Sequence, residues 1–240
     1  MALTLLRRAS GEFLGTCILV ATVVGSGIMG TLLSDNLAVT LLINAVATVA
    51  ALGVLIWTIG PISGAQFNPV VSGVEMVRRE MPLGEGFLYI ASQIAGACAG
   101  AILANLMFAL PPITASTHVR TGANIWLGEV VATAGLLLII GALTRTGHGN
   151  LGPVLVPAWI GAAYFFTSST SFANPAVTIG RSLTDTFAGI APASVPMFIV
   201  FQIVGATIGA LLTEFFYPRR GVTPEPLDLP GPIHHGPHNP

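Results

Sequence analysis

Two tripeptides, Asn68-Pro69-Val70 and Asn174-Pro175-Ala176, stand between long apolar runs at matching places in the two halves of the chain. They restrict its fold more than any other feature. Asparagine before proline reads as a helix start, because the asparagine side chain caps and the fixed φ of proline suits the first turn. A helix that begins between membrane spans aims unpaired amides and a partial positive dipole end into the membrane interior. Such backbone is tolerated at that depth only where protein buries it or a water-filled cavity meets it. Two such starts therefore point to a pore.

The flanking runs are long enough to cross a bilayer. A span needs roughly 20 predominantly apolar residues, and six segments qualify: about 13–33, 37–60, 86–110, 124–145, 151–169 and 193–217. With 53% hydrophobic and 8% charged residues, an ordinary soluble domain is excluded. All nine basic residues are arginines and the net charge is −1, which argues against nucleic acid as a partner. Cys17 and Cys98 fall inside apolar runs and read as small core residues rather than a disulfide framework. The first run is too long, and too poor in a small-residue cleavage site, for a cleaved signal peptide. Arg7, Arg8, Arg78, Arg79, Arg145, Arg219 and Arg220 fall on one side of this layout, and Arg120 and Arg181 on the other. The positive-inside bias then puts both termini in the cytoplasm of a multi-pass protein of the inner (plasma) membrane.

The chain also repeats itself. Gln93-Ile94-Ala95-Gly96 and Gln202-Ile203-Val204-Gly205 open similar stretches 109 positions apart, against 106 for the two tripeptides. Glu12 and Glu129 open the first span of each half in the settings Gly-Glu-Phe and Gly-Glu-Val. Three spans per half is an odd number, so the second copy enters the membrane upside down. Inverted repeats of this kind place solute sites at the midplane interface.

The stretch Ile62-Ser63-Gly64-Ala65-Gln66-Phe67-Asn68-Pro69-Val70-Val71-Ser72 resembles the first signature of the major intrinsic proteins, the aquaporins and aquaglyceroporins. The second tripeptide, the six spans and the paired glutamates extend that resemblance over about residues 10–217. It implies an all-α membrane protein: a right-handed bundle of six transmembrane helices with two re-entrant half-helices, about 68–79 and 174–184, in an inverted 3+3 repeat. The channel domain is expected over 1–217, with repeat one about 10–110 and repeat two about 124–217. A homotetramer in the lipid bilayer is implied as well. Gly96 and Gly100, with Gly205 and Gly209, form small-xxx-small faces, read as packing within one subunit, the alternative being oligomerisation.

The resemblance makes Asn68, Pro69, Val70, Asn174, Pro175 and Ala176 the pore-lining motifs, with the two asparagine amides facing the solute. A cation is repelled where two positive dipole ends meet, and oriented water carries protons poorly. Members of the family usually carry an arginine directly after the second motif, and here Val177 stands there. Family spacing gives Thr48, Ala162 and Ser171 as the rest of the selectivity constriction, the first two to within about one residue. None of these four is large or charged, so the ring is expected to be wider than in water-selective relatives. The segments 172–178 and 184–190 are also similar to a bacterial branch associated with arsenic resistance, which adds neutral arsenical species to the solute candidates.

Glu75 and Arg181 each stand seven residues after an asparagine, roughly 10 Å from the midplane at the usual helical rise, and are vestibule candidates. For Arg181 three readings stay open: snorkelling to the headgroups, lining the outer vestibule, or folding back to replace the filter arginine. Carboxylates inside spans are functional candidates by default; the resemblance implies that Glu12 and Glu129 are structural acids bracing the half-helix loops, the alternative being ion coupling. His118 and His148 fall in loops, and His234, His235 and His238 in a Pro-rich cytoplasmic tail, 218–240, expected to be disordered, with 221–240 removable. Neither a metal site nor a cofactor is expected. The reading is a passive channel for small uncharged solutes, water, polyols and neutral metalloids among them. The alternatives are a strictly water-selective pore and a coupled secondary transporter, and nothing suggests an enzyme.

Overall fold

The computed structural model describes residues 3–219, so nearly all of the Pro-rich tail and its three histidines lie outside the described residues. Eight α-helices follow one another as α1 Leu5–Leu33, α2 Leu37–Ser63, α3 Pro69–Val77, α4 Leu83–Met107, α5 Ala123–Thr146, α6 Gly152–Phe166, α7 Pro175–Arg181 and α8 Val195–Phe216. Local chemistry sets the boundaries that matter. Asn36 caps α2 through its side chain, and α2 stops at Gly64, whose φ of 92° suits a residue without a Cβ. Asn68 and Asn174 cap the two half-helices, each with proline in the first turn.

Five of the helices are long and apolar enough to span a membrane, and α6, with 15 residues, is not among them. The expected span 151–169 is shortened at both ends. Gly149–Leu151 forms a separate single turn, and at Thr167 the backbone becomes extended. The half-helices are shorter than expected too. The first ends at Val77, and the turn after it holds Arg79 at a φ of 60°, in the left-handed region that a right-handed helix cannot continue through; the second ends at Arg181.

The two halves are built alike. In the first, α4 packs on α1 through Gly96 and Gly100, where an added Cβ would lie 2.3 and 2.2 Å from the carbonyl oxygens of Phe13 and Cys17. In the second, α8 packs on α5 through Gly205 and Gly209, at 2.6 and 2.3 Å from the carbonyls of Val130 and Ala134. The small-residue faces thus serve close packing inside one subunit. Between the halves, α2 packs on α6 and α7 on α4, where a Cβ at Gly180 would meet the Ala97 carbonyl at 2.7 Å. The outer surface of the bundle is apolar, with Leu42, Val54, Leu103, Leu127 and Leu211 exposed as lipid-facing residues are.

Charge gathers at one end of the bundle. Arg145 and Arg78 meet Glu214 at 2.6 and 3.1 Å, and Arg219 meets Glu80 at 2.9 Å. These bonds join the ends of α3, α5 and α8. At the other end Arg120 and Arg181 approach one ring, that of Phe172.

Candidate functional site

The centre of the molecule is where the two half-helices meet, and a buried carboxylate holds the loop before each of them. Glu12 accepts from the backbone amides of Gln66 and Phe67 at 3.1 and 2.7 Å, and from Gln93 Nε2 at 2.8 Å. Glu129 accepts from the amides of Phe172 and Ala173, both at 2.9 Å, and from Gln202 Nε2 at 2.6 Å. Each glutamine also donates to a hydroxyl four residues after an asparagine, Gln93 to Ser72 and Gln202 to Thr178. Both glutamates are fully buried. A buried carboxylate is tolerable only when its lone pairs are filled, and here each is filled by the amides of the re-entrant loop. The loops need that hold. Ala65, Phe67, Ser171 and Ala173 all have φ near 50°, a region that costs non-glycine residues energy.

The half-helices are then tied to each other. Asn68 Nδ2 donates to the Ala173 carbonyl at 2.8 Å, and Asn174 Nδ2 donates to the Phe67 carbonyl at 2.7 Å. The Oδ1 of Asn68 caps Val70, and that of Asn174 caps Ala176 and Val177. One N–H of each amide remains free of these bonds.

A cavity of about 290 Å³ runs past both asparagines. Its wall includes Thr144 and Gly149 towards the end that carries the ion-pair cluster, and Ser171 and Arg181 towards the other. Of the expected motif residues only Asn68 and Asn174 reach the wall. Pro69, Val70, Pro175 and Ala176 are buried in protein, because the helical period brings Val71 and Val177, three residues after each asparagine, round to the cavity instead.

Of the four expected constriction residues, Thr48, Ser171 and Val177 lie on the wall, and Ala162 does not. Ala162 is on the exposed side of α6, whose cavity face is Val156, Ile160 and Tyr164 at four-residue spacing. Tyr164, two residues on, reaches the cavity wall, and its hydroxyl donates to Thr48 Oγ1 at 3.3 Å. The signal that could have found it is the i, i+4 spacing from Ile160.

Both vestibule candidates reach the cavity. Glu75 accepts from Gln66 Nε2 at 2.5 Å. Arg181 does not snorkel: it is 3% exposed, its Nε donates to the Ala188 carbonyl, and its guanidinium lies over Phe172. Outside the membrane-spanning segments, Asp185 accepts from the amide and hydroxyl of Thr117, which hold its carboxyl below the usual carboxylate range and tie two outer loops together. His118 and His148 are exposed, as loop residues should be.

Two inverted halves, sewn together at the tips of two half-helices beside one central cavity, define a membrane channel. The family described as Major intrinsic protein matches residues 1–173. The chain is 47% identical over 219 residues to the aquaglyceroporin AqpS of Rhizobium meliloti (strain 1021), covering 91% of this chain and 94% of that protein. It is 30% identical over 229 residues to human Aquaporin-5, covering 88% and 80%. In fold it is similar to the X-ray structure of the aquaglyceroporin from Plasmodium falciparum, with a TM-score of 0.66 at 21% identity, covering 90% of this chain and 96% of that one. The chain belongs to the major intrinsic protein family, and is a passive transmembrane channel for small uncharged solutes, not an enzyme.

Proposed function

We propose that this channel is of the wide, aquaglyceroporin type, passing glycerol-like polyols as well as water, with neutral metalloid hydroxides such as arsenous acid as further solutes. One observation carries the reading: the wall position three residues after Asn174 holds Val177, short and uncharged, where the family usually places arginine. The 47% identity to a protein named as an aquaglyceroporin supports it. The pore-lining role falls to Asn68 and Asn174, and the constriction to Thr48, Tyr164, Ser171 and Val177, with Glu75 and Arg181 in the two vestibules. Glu12 and Glu129 act as braces rather than as ion-coupling groups, a role supported by the loop amides that fill their lone pairs.

The channel domain covers 1–217 and works as a homotetramer in the plasma membrane, with both termini in the cytoplasm. The gathering of Arg78, Arg145 and Arg219 at one end of the bundle supports that orientation.

The test is stopped-flow light scattering on proteoliposomes, comparing water with glycerol, urea and arsenous acid. Glycerol flux well above that of empty vesicles, without saturation and without any ion gradient, is the expected result. Water flux alone sinks the wide-pore reading.

A further inference from the structure

The positive charge that Val177 lacks is present one helical turn further on. Arg181 is four residues after Val177, so both lie on the same face of α7, and both reach the cavity wall. The guanidinium is positioned as a fixed group. Its Nε donates to the Ala188 carbonyl, and its carbon lies 3.5 Å from the centroid of the Phe172 ring. That ring is held in turn by Phe198, edge-on at 5.0 Å. Arg120 adds a second cation 5.2 Å from the same centroid, with its Nε donating to the Gly189 carbonyl at 3.0 Å.

What Arg181 does not do is equally informative. Among the described residues it has no carboxylate partner within salt-bridge distance, although its side chain is 97% withdrawn from solvent, being 3% exposed. Of the five N–H donors of a guanidinium, the described residues accept only the one on Nε. Its terminal nitrogens are not sealed in protein, and Arg181 lies on the cavity wall, so they are open to the cavity. A buried, unpaired cation is costly to a fold unless something satisfies it. In a channel the satisfying group is the passing solute and its water.

We propose that Arg181 is the specificity-determining cation of the outer filter, replacing in function the arginine that Val177 displaces, with Arg120 reinforcing the field through the Phe172 clamp. It repels cations at the outer mouth, and its terminal N–H groups donate to the hydroxyl oxygens of a polyol-like solute. Because the charge stands one turn outward, the ring at Val177 stays wide while the cation barrier is kept. This assignment rests on the channel reading above.

The experiment compares wild type, Arg181→Met and the double variant Val177→Arg/Arg181→Met in proteoliposomes, reading proton leak with an entrapped pH dye and glycerol and water flux by light scattering. Arg181→Met keeps an unbranched, flexible stem four atoms long and removes the guanidinium with its charge and donors. It is expected to raise proton and monovalent-cation leak about tenfold, the effect of roughly 1.4 kcal/mol on a barrier, and to change the glycerol-to-water ratio. The double variant, with its guanidinium at 177, is expected to recover cation exclusion while narrowing the pore to glycerol. An assembled Arg181→Met protein with wild-type leak and wild-type solute ratio overturns the proposal. If Arg181→Met does not assemble, the double variant decides: assembly with restored exclusion supports a filter role. Failure of both assigns Arg181 to holding the Ala188 loop and overturns the proposal too. Wild-type vesicles that pass no neutral solute would instead sink the channel reading itself.

Discussion

The two re-entrant loops are alike where they are held and unlike where they meet the solute. Each is braced by a buried glutamate, each glutamate shares its load with a glutamine, and each asparagine crosses to the other loop's carbonyl. The residue before each asparagine breaks the symmetry. Phe67 fills the first loop and Ala173 the second, and the facing helices compensate: Gly15 stands opposite Phe67, and Ala132 occupies the matching place on α5. Seven residues after each asparagine the charges are opposite, Glu75 in one vestibule and Arg181 in the other. The lesson is that the hold on the backbone is duplicated while volume and charge are free to differ, provided each change is answered across the contact.

The largest expected effect comes from deepening the difference between the loops. Val177→Arg puts bulk, a fixed charge and up to five donors on a wall now lined by a small apolar side chain. A glycerol-sized solute must shed hydration to pass, and an added barrier of roughly 3 kcal/mol cuts its flux about a hundredfold. Water should be slowed far less, and the measurement is the ratio of the two permeabilities. An unchanged ratio would show that Val177 does not face the constriction.

Next in size is a pair that asks whether the asparagines are equivalent. Asn68→Asp and Asn174→Asp each replace a donor to the opposite carbonyl with a carboxylate, which places two acceptors face to face where the half-helix tips meet. Both should lower neutral-solute flux by about tenfold, on the order of 1.4 kcal/mol, and raise cation leak. A loss confined to one of the two would locate the barrier in one loop only.

The braces should break equally. Glu12→Gln and Glu129→Gln each turn one acceptor oxygen into a donor aimed at a loop amide or glutamine, at a cost of about 1–3 kcal/mol. Thermal unfolding in detergent should show similar downward shifts for the two variants. A large shift in one and none in the other would end the claim that the hold is duplicated.

The smallest effects concern volume. An added Cβ at Gly15 would lie 1.9 Å from the Phe67 ring, so Gly15→Ala should destabilise by about 1–3 kcal/mol through overpacking. Ala132→Gly faces no such ring and should cost only about 1 kcal/mol in helix propensity. Adding Phe67→Ala to Gly15→Ala should recover most of the loss if the compensation is real.

Much of this could be read in the sequence, because the strongest signals were local. Asparagine before proline fixed both half-helix starts, and the small-xxx-small spacing found the faces that pack α4 on α1 and α8 on α5. The half-helix ends were not legible. No glycine or proline stops α3, and the left-handed turn at Arg79 has no composition to announce it. Spacing along the chain points to Ala162, but a side chain's direction depends on rotation about the helix, and on α6 it is Tyr164 that turns to the cavity. The repeated glutamines were visible as a pattern, yet their partners lie 81 and 73 residues away, beyond any local signal. For Arg181 the sequence leaves three placements open and nothing local to choose among them. Its position follows from Phe172 and Ala188, which meet it only after the chain has turned back.

The reciprocal bonds from Asn68 to Ala173 and from Asn174 to Phe67 have a consequence for the order in which the protein is made. They close over 105 and 107 residues, so the first loop cannot be locked until the second has left the ribosome and entered the bilayer. Contacts of such long range form late. The first three spans must therefore wait with a half-finished tip held by Glu12 and Gln93, a stage at which the membrane is not yet breached. The channel opens only when the last quarter of its polypeptide arrives, and a prematurely terminated chain is left without a conduit rather than with a leaking one.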